Sequence, residues 1–88
     1  MRLDKFLKLS RIIKRRTIAK DVADLGFVLI NDKTAKPSSE VNVGDELKLN
    51  LGERRLTLKV TYLSLHPSKK ESSQMFEIIN DEVIDLTS

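Results

Sequence analysis

The chain is 88 residues long, 33% charged and 40% apolar, with sixteen Lys and Arg, thirteen Asp and Glu, one His, and neither Cys nor Trp. Folding at this length buries only about 60% of the unfolded surface, enough for one modest core and little room for a substrate cleft, so a free-standing enzyme is not expected. The net charge of +3 is unevenly placed: residues 1–20 hold eight Lys and Arg against Asp4 alone, a local +7, while the remainder holds eight against twelve, or −4.

In chain order, Leu3, Phe6, Leu7 and Leu9 recur near helical spacing while Lys5, Lys8 and Arg11 fall on another face, which predicts a short amphipathic helix ending around Ser10. Arg11 to Arg16 is a cationic run, a poor continuation for a helix because adjacent like charges repel. Thr17 is the expected N-cap of a second helix with Asp21 in its first turn, and Gly26 its left-handed stop. Ile18, Val22 and Leu25 follow i, i+4, i+7, and Ala19 and Ala23 are small enough for close packing against the first helix. The pair forms a helix-turn-helix-like unit.

Strands follow. Phe27 to Ile30 is an apolar run closed by the turn signal Asn31-Asp32, with a brief return over Lys33 to Lys36. After Pro37-Ser38-Ser39 and a turn at Gly44-Asp45, Leu47, Leu49 and Leu51 alternate with Lys48 and Asn50. A Gly-first hairpin turn at Gly52-Glu53 leads back through Leu56, Leu58, Val60 and Tyr62. Residues 1–65 are therefore expected as one domain with a sheet extension. Residues 66–74, serine-rich and broken by Pro67, read as a mobile polar loop. Residues 75–88 read as a last strand over Met75 to Ile79 running into a frayed acidic tail with Glu77, Asp81, Glu82 and Asp85. The class is α+β, a helical pair on a small antiparallel sheet.

Few motifs carry chemistry. The three glycines are isolated, so neither a dinucleotide fingerprint nor a phosphate loop is present. His66, beside Pro67, reads as an ordinary exposed side chain, and Asp45-Glu46 as turn residues. Without cysteine and with a single histidine, no metal or cofactor is expected. No apolar run nears the about 18 residues of a membrane span, and the amphipathic start differs from a secretory leader. A soluble, cytoplasmic monomer is the expectation.

What remains is Arg2, Lys5, Lys8, Arg11, Lys14, Arg15, Arg16 and Lys20, spread over one helix, the connector and the next helix start, with Thr17 beside them. Arginine forks match phosphate oxygens and stack on bases, so this segment points to a nucleic acid. RNA is favoured over DNA, because Asp21 and Asp24 on the second helix would repel a major groove, whereas a basic helix and connector suit backbone and shape recognition.

Arg2-Leu3-Asp4-Lys5-Phe6-Leu7, then Ser10-Arg11, Arg15-Arg16-Thr17 and Ala19, closing in Gly26-Phe27-Val28-Leu29-Ile30-Asn31 and Val43-Gly44-Asp45, resemble the S-four RNA-binding domain. That resemblance implies a helical pair on a strongly bent sheet with RNA on the helical face. Within it, the length, the segment Ile12 to Lys20 and the acidic end are most similar to the small bacterial ribosome-associated quality-control factors of the RqcP group. The implied partners are large-subunit rRNA, peptidyl-tRNA, the large ribosomal subunit and RqcH, with the tRNA held in place during untemplated alanine tailing. By position, Arg2, Lys5, Arg11, Lys14, Arg15 and Arg16 are the implied RNA contacts. Asp4 reads as a structural or orienting carboxylate, through helix capping or a bridge to a nearby Arg. Heat-shock protein fifteen, a large-subunit recycling factor, is similar but ordinarily carries a longer basic C-terminal extension. A protein adaptor using the sheet and acidic tail, and a DNA-binding helix pair, are the rival readings. An S-four appendage of a modifying enzyme or a synthetase lacks its catalytic domain.

Overall fold

In the computed structural model, which describes residues 1–84, Leu3, Phe6 and Leu7 occupy one buried stripe at i, i+3 and i+4, and the helix they build, α1, runs Leu3–Leu9. It stops at Ser10, whose hydroxyl donates to the Leu7 carbonyl, and at Arg11, which turns the chain through a left-handed conformation with φ 62°. The connector then returns Ile13 to the core, and α2 runs Arg16–Asp24. At its end, the Gly26 and Phe27 amides donate to the Ala23 and Val22 carbonyls, and Gly26 adopts φ 81°, which a side chain would strain.

Two expectations for α2 are corrected. Arg15, not Thr17, is the N-cap, in extended conformation with no side-chain cap; Thr17 lies inside the helix, and the first turn carries no acid. The apolar series Ile18, Val22, Leu25 is split: Val22 packs part-buried against the core, but Ile18 and Leu25 remain 48% and 66% exposed, while Ala19 and Ala23 are buried as expected. Close approach of α1 and α2 admits only small side chains at the contact, and that requirement sets the phase of α2.

The sheet is antiparallel throughout, in the order β2-β1-β3-β4-β5, with β1 Val28–Ile30, β2 Lys33–Thr34, β3 Glu46–Leu51, β4 Arg54–Val60 and β5 Phe76–Val83. Asn31 and Asp32 both take positive φ, the geometry that matches a tight turn to strand twist. Leu47 and Leu49 on β3 and Leu56, Leu58 and Val60 on β4 face inward, and their register (Leu47↔Leu58, Leu49↔Leu56) joins them into one buried surface under the helices.

Beyond β4 the structure departs from the expected loop and tail. Residues 66–74 contain α3, Lys69–Ser73, opened by a capping box in which the Ser68 hydroxyl accepts from the Glu71 amide at 3.1 Å and the Glu71 carboxylate accepts from the Ser68 amide at 3.3 Å. Ser72 and Met75 are buried beneath it, which seats the segment on the core. β5 continues well past Ile79, so Glu77, Asp81 and Glu82 lie on a paired strand and not on a frayed tail, while Asp85 falls outside the described residues. Asp81 earns its place on that strand through an ion pair with Arg54, whose Nε donates to Oδ1 at 3.0 Å. One extra residue, Ile79, bulges from β5 opposite Thr57 and Leu58.

Candidate nucleic-acid interface

The basic segment is organised by where α1 begins. Arg2 caps α1 in extended conformation and pairs through its backbone with Glu40 in an isolated bridge. The first amides of α1, those of Leu3 and Asp4, donate to the Ser39 and Pro37 carbonyls. This end of the helix is thereby stitched to the 37–41 loop, and its N–H groups are already used.

Asp4, one position into the same turn, is the electrostatic pivot. Its side chain is 4% exposed, yet it keeps two cations: Arg2 Nε and Nη2 donate to Oδ1 and Oδ2 at 3.1 and 3.3 Å, and Arg16 Nε stands 3.5 Å from Oδ2. The Lys5 amide adds a bond to Oδ1 at 2.8 Å. Burial by itself pushes the Asp4 carboxyl up, but the Arg2 hydrogen bonds, the Lys5 amide and the Arg16 charge together outweigh it and hold the group below its ordinary value. Arg2 and Arg16 are half exposed, 51% and 49%. A sunken carboxylate therefore anchors two half-exposed guanidiniums at one point, and guanidinium forks suit phosphate oxygens. Both roles open to Asp4 are visible: it bridges two arginines, and from within the first turn it accepts the Lys5 amide, a helix-start donor, although the N-cap position itself is Arg2.

The other residues fall around this pivot. Arg15, Thr17 and Lys20 are exposed at the start and along the outer side of α2, with Lys20 one turn beyond Arg16. No side chain caps α2, so its first-turn amides lack a side-chain acceptor. Lys5 is half-buried on α1. Lys8, Arg11 and Lys14 are exposed and gather at the opposite end of α1, away from Asp4. The nine cationic and hydroxyl candidates thus form two groups, one at each end of a seven-residue helix.

Sequence reasoning missed α3, whose segment borders the second group through Pro67 and Ser72 and carries Lys69 on the same flank as Ser72. The signal was present as Ser68-x-x-Glu71, the spacing of a capping box, obscured by the surrounding serines. It also missed Arg16 as a partner of Asp4, since nothing in a spacing of twelve residues announces that contact. Among the described residues, no helix is long and apolar enough to cross a membrane.

Comparison with known proteins gives the following. The S4 domain profile matches residues 1–47. The RQC P-site tRNA stabilizing factor of Bacillus subtilis is 50% identical over 82 residues, covering 93% of this chain and 95% of that protein. The protein of the same name from Listeria monocytogenes is 46% identical over 85 residues, covering 97% of this chain and 92% of its own. Among solved structures, trimeric heat shock protein 15 of Vibrio cholerae superposes with a TM-score of 0.81 at 30% identity, over 89% of this chain and 80% of that one.

Proposed function

Since this chain belongs to the S4 domain family, and within it to the RQC P-site tRNA stabilizing factors, we propose that it is a non-enzymatic, cytoplasmic RNA-binding factor of ribosome-associated quality control. It binds stalled large ribosomal subunits through rRNA and holds the peptidyl-tRNA in place while RqcH supports alanine tailing. It acts by positioning, as a monomer, and its RNA contacts are Arg2, Lys5, Lys8, Arg11, Lys14, Arg15, Arg16, Thr17 and Lys20.

The observation that carries this reading is the arrangement at Asp4. Two arginines fourteen residues apart in the chain are clamped by one buried carboxylate and left half exposed, on a segment whose local charge is +7. Clamping reduces the side-chain freedom lost when a phosphate binds, so affinity rises without additional charge.

The test is RNA binding as a function of salt, by anisotropy of a labelled tRNA and of a large-subunit rRNA fragment. If about six phosphates are neutralised, log affinity falls against log salt with a slope of about −4 to −5. A slope near zero removes the electrostatic mechanism. Arg16→Ala weakens binding, and Asp4→Arg weakens it as well despite adding a cation, because the clamp is lost. In sedimentation with ribosomal particles, the protein travels with large subunits that retain tRNA. A second reading, a recycling factor like heat shock protein 15, draws on the structural likeness to the Vibrio cholerae protein; association with large subunits independent of RqcH, or a trimer by analytical ultracentrifugation, favours it.

A further inference from the structure

Between the C-terminal end of α1, the connector and α3 lies an open hollow of about 330 Å³ bordered by Lys8, Leu9, Arg11 and Lys14 on one side and by Pro67 and Ser72 on the other. Lys69 precedes Ser72 by three residues and so shares the flank of α3 that borders the hollow, whereas Lys70 lies on the far side of the helix from Ser72. Among the described residues, none of Lys8, Arg11, Lys14, Lys69 or Lys70 has a carboxylate within ion-pair distance, whereas Arg2, Arg16, Lys48 and Arg54 all do. The acid of α3, Glu71, is held by the Ser68 amide and the Tyr62 hydroxyl and forms no ion pair with these cations among the described residues. α3 is also seated on the core, since Ser72 and Met75 are buried beneath it.

We propose that this hollow is a second RNA-backbone subsite, distinct from the Arg2–Asp4–Arg16 clamp, in which α1 and the connector form one wall and α3 the other. It rests on the RNA-binding reading above and adds to it a contribution from outside the S4-matched residues 1–47. Seven helical residues separate the two clusters, about 10 Å at 1.5 Å per residue, too far for one phosphate to bridge. The chain therefore engages RNA at two points. Leu9 and Pro67 supply apolar surface between the cations, against which a ribose packs while the charged heads reach its flanking phosphates. Unpaired cations around a concavity recognise a polyanion. The arginine on a fixed backbone turn and the continuity with the basic segment make that polyanion RNA and not an acidic peptide.

The experiment compares K69Q with K59Q in the full chain, against the same labelled RNAs. Each removes one cation, but Lys59 alternates with buried Leu58 and Val60 and so lies on the sheet face away from the helices. K69Q is expected to weaken binding about twofold more than the control and to reduce the salt slope by about 0.7–0.9, one contact's worth. K69R, which keeps the charge, is expected to bind as wild type. Equal effects of the two neutralising variants, or equal competition by polyglutamate and by RNA, overturn the subsite while wild-type RNA binding stands. Failure of the wild-type chain to bind either RNA overturns the RNA-binding reading, and the subsite with it.

Discussion

Arg11 is an exposed L-residue held at φ 62° at the end of α1, where its amide donates to the Lys8 carbonyl at 3.0 Å and, among the described residues, no ion pair holds its side chain. A left-handed backbone costs an L-residue about 1–2 kcal/mol. Glycine removes that strain but gives the unfolded chain extra freedom worth about 0.5–1 kcal/mol. Arg11→Gly is thus expected to stabilise the fold by about 0.5–1 kcal/mol, and at about 4–8 °C per kcal/mol for a domain of this size the thermal midpoint rises by about 2–8 °C. The same change deletes a guanidinium from the basic hollow, so the salt slope of RNA binding shrinks by about 0.7–0.9 and affinity falls. Arg11→Ala separates the two effects, losing the charge while keeping the strain, and its midpoint stays near wild type. Thermal unfolding followed by circular dichroism, paired with anisotropy on the same preparations, reads both quantities. A lowered midpoint in Arg11→Gly refutes the strain argument; a raised midpoint with unchanged affinity refutes the role assigned to the side chain.

Asp4→Asn loses charge-assisted bonds to Arg2 and the attraction of Arg16, and because both guanidiniums are half solvated the cost is about 1–2 kcal/mol. The folded-state pKa of Asp4 is depressed, so its contribution is fully present above the unfolded carboxylate value and disappears as pH falls through the folded one. Acid unfolding of Asp4→Asn should accordingly show a shallower limb than wild type, and identical limbs would contradict the clamp. Ser68→Ala removes the acceptor for the Glu71 amide, a loss of about 1 kcal/mol confined to α3. Amide exchange should quicken over residues 69–74 while Phe6 and Leu7 stay protected; uniform quickening would mean that α3 is not a separable unit. Removing residues 81–88, the trim that an acidic-tail reading would choose, also unpairs Arg54↔Val83, Arg55↔Glu82 and Leu56↔Asp81. That truncation is expected to lower the thermal midpoint, whereas removing only 85–88 leaves every described pairing intact and is the fair test of an adaptor role.

The parts legible in the sequence are those whose causes lie within a few residues. Leu47, Leu49, Leu56 and Leu58 alternate with polar residues because a strand has period two, and one buried face then sets their register. Gly26 ends α2, and Asn31-Asp32 closes a hairpin, because each adopts a backbone conformation that few other residues tolerate. The concentration of +7 in twenty residues is a property of composition, and no fold could redistribute it along the chain.

Tertiary structure decided everything that depended on neighbours distant in sequence. Ala19 and Ala23 fill the narrow gap against α1 as their size suggested, and Val22 packs at its border, but only the packed helices show that Ile18 and Leu25 of the same apolar series stay exposed. A polar serine-rich stretch became a seated helix because Ser72 and Met75 had a core to enter. β5 outran its apolar residues because β4 offered hydrogen-bonding groups, and Arg54 a counter-charge, to a strand that hydropathy alone would have ended at Ile79. Asp4 met Arg16 only when the two helices packed. Composition established how much positive charge this chain carries and on which segment; packing sorted that charge into a clamp and a hollow at opposite ends of one helix, because charges acquire partners through space and not through sequence.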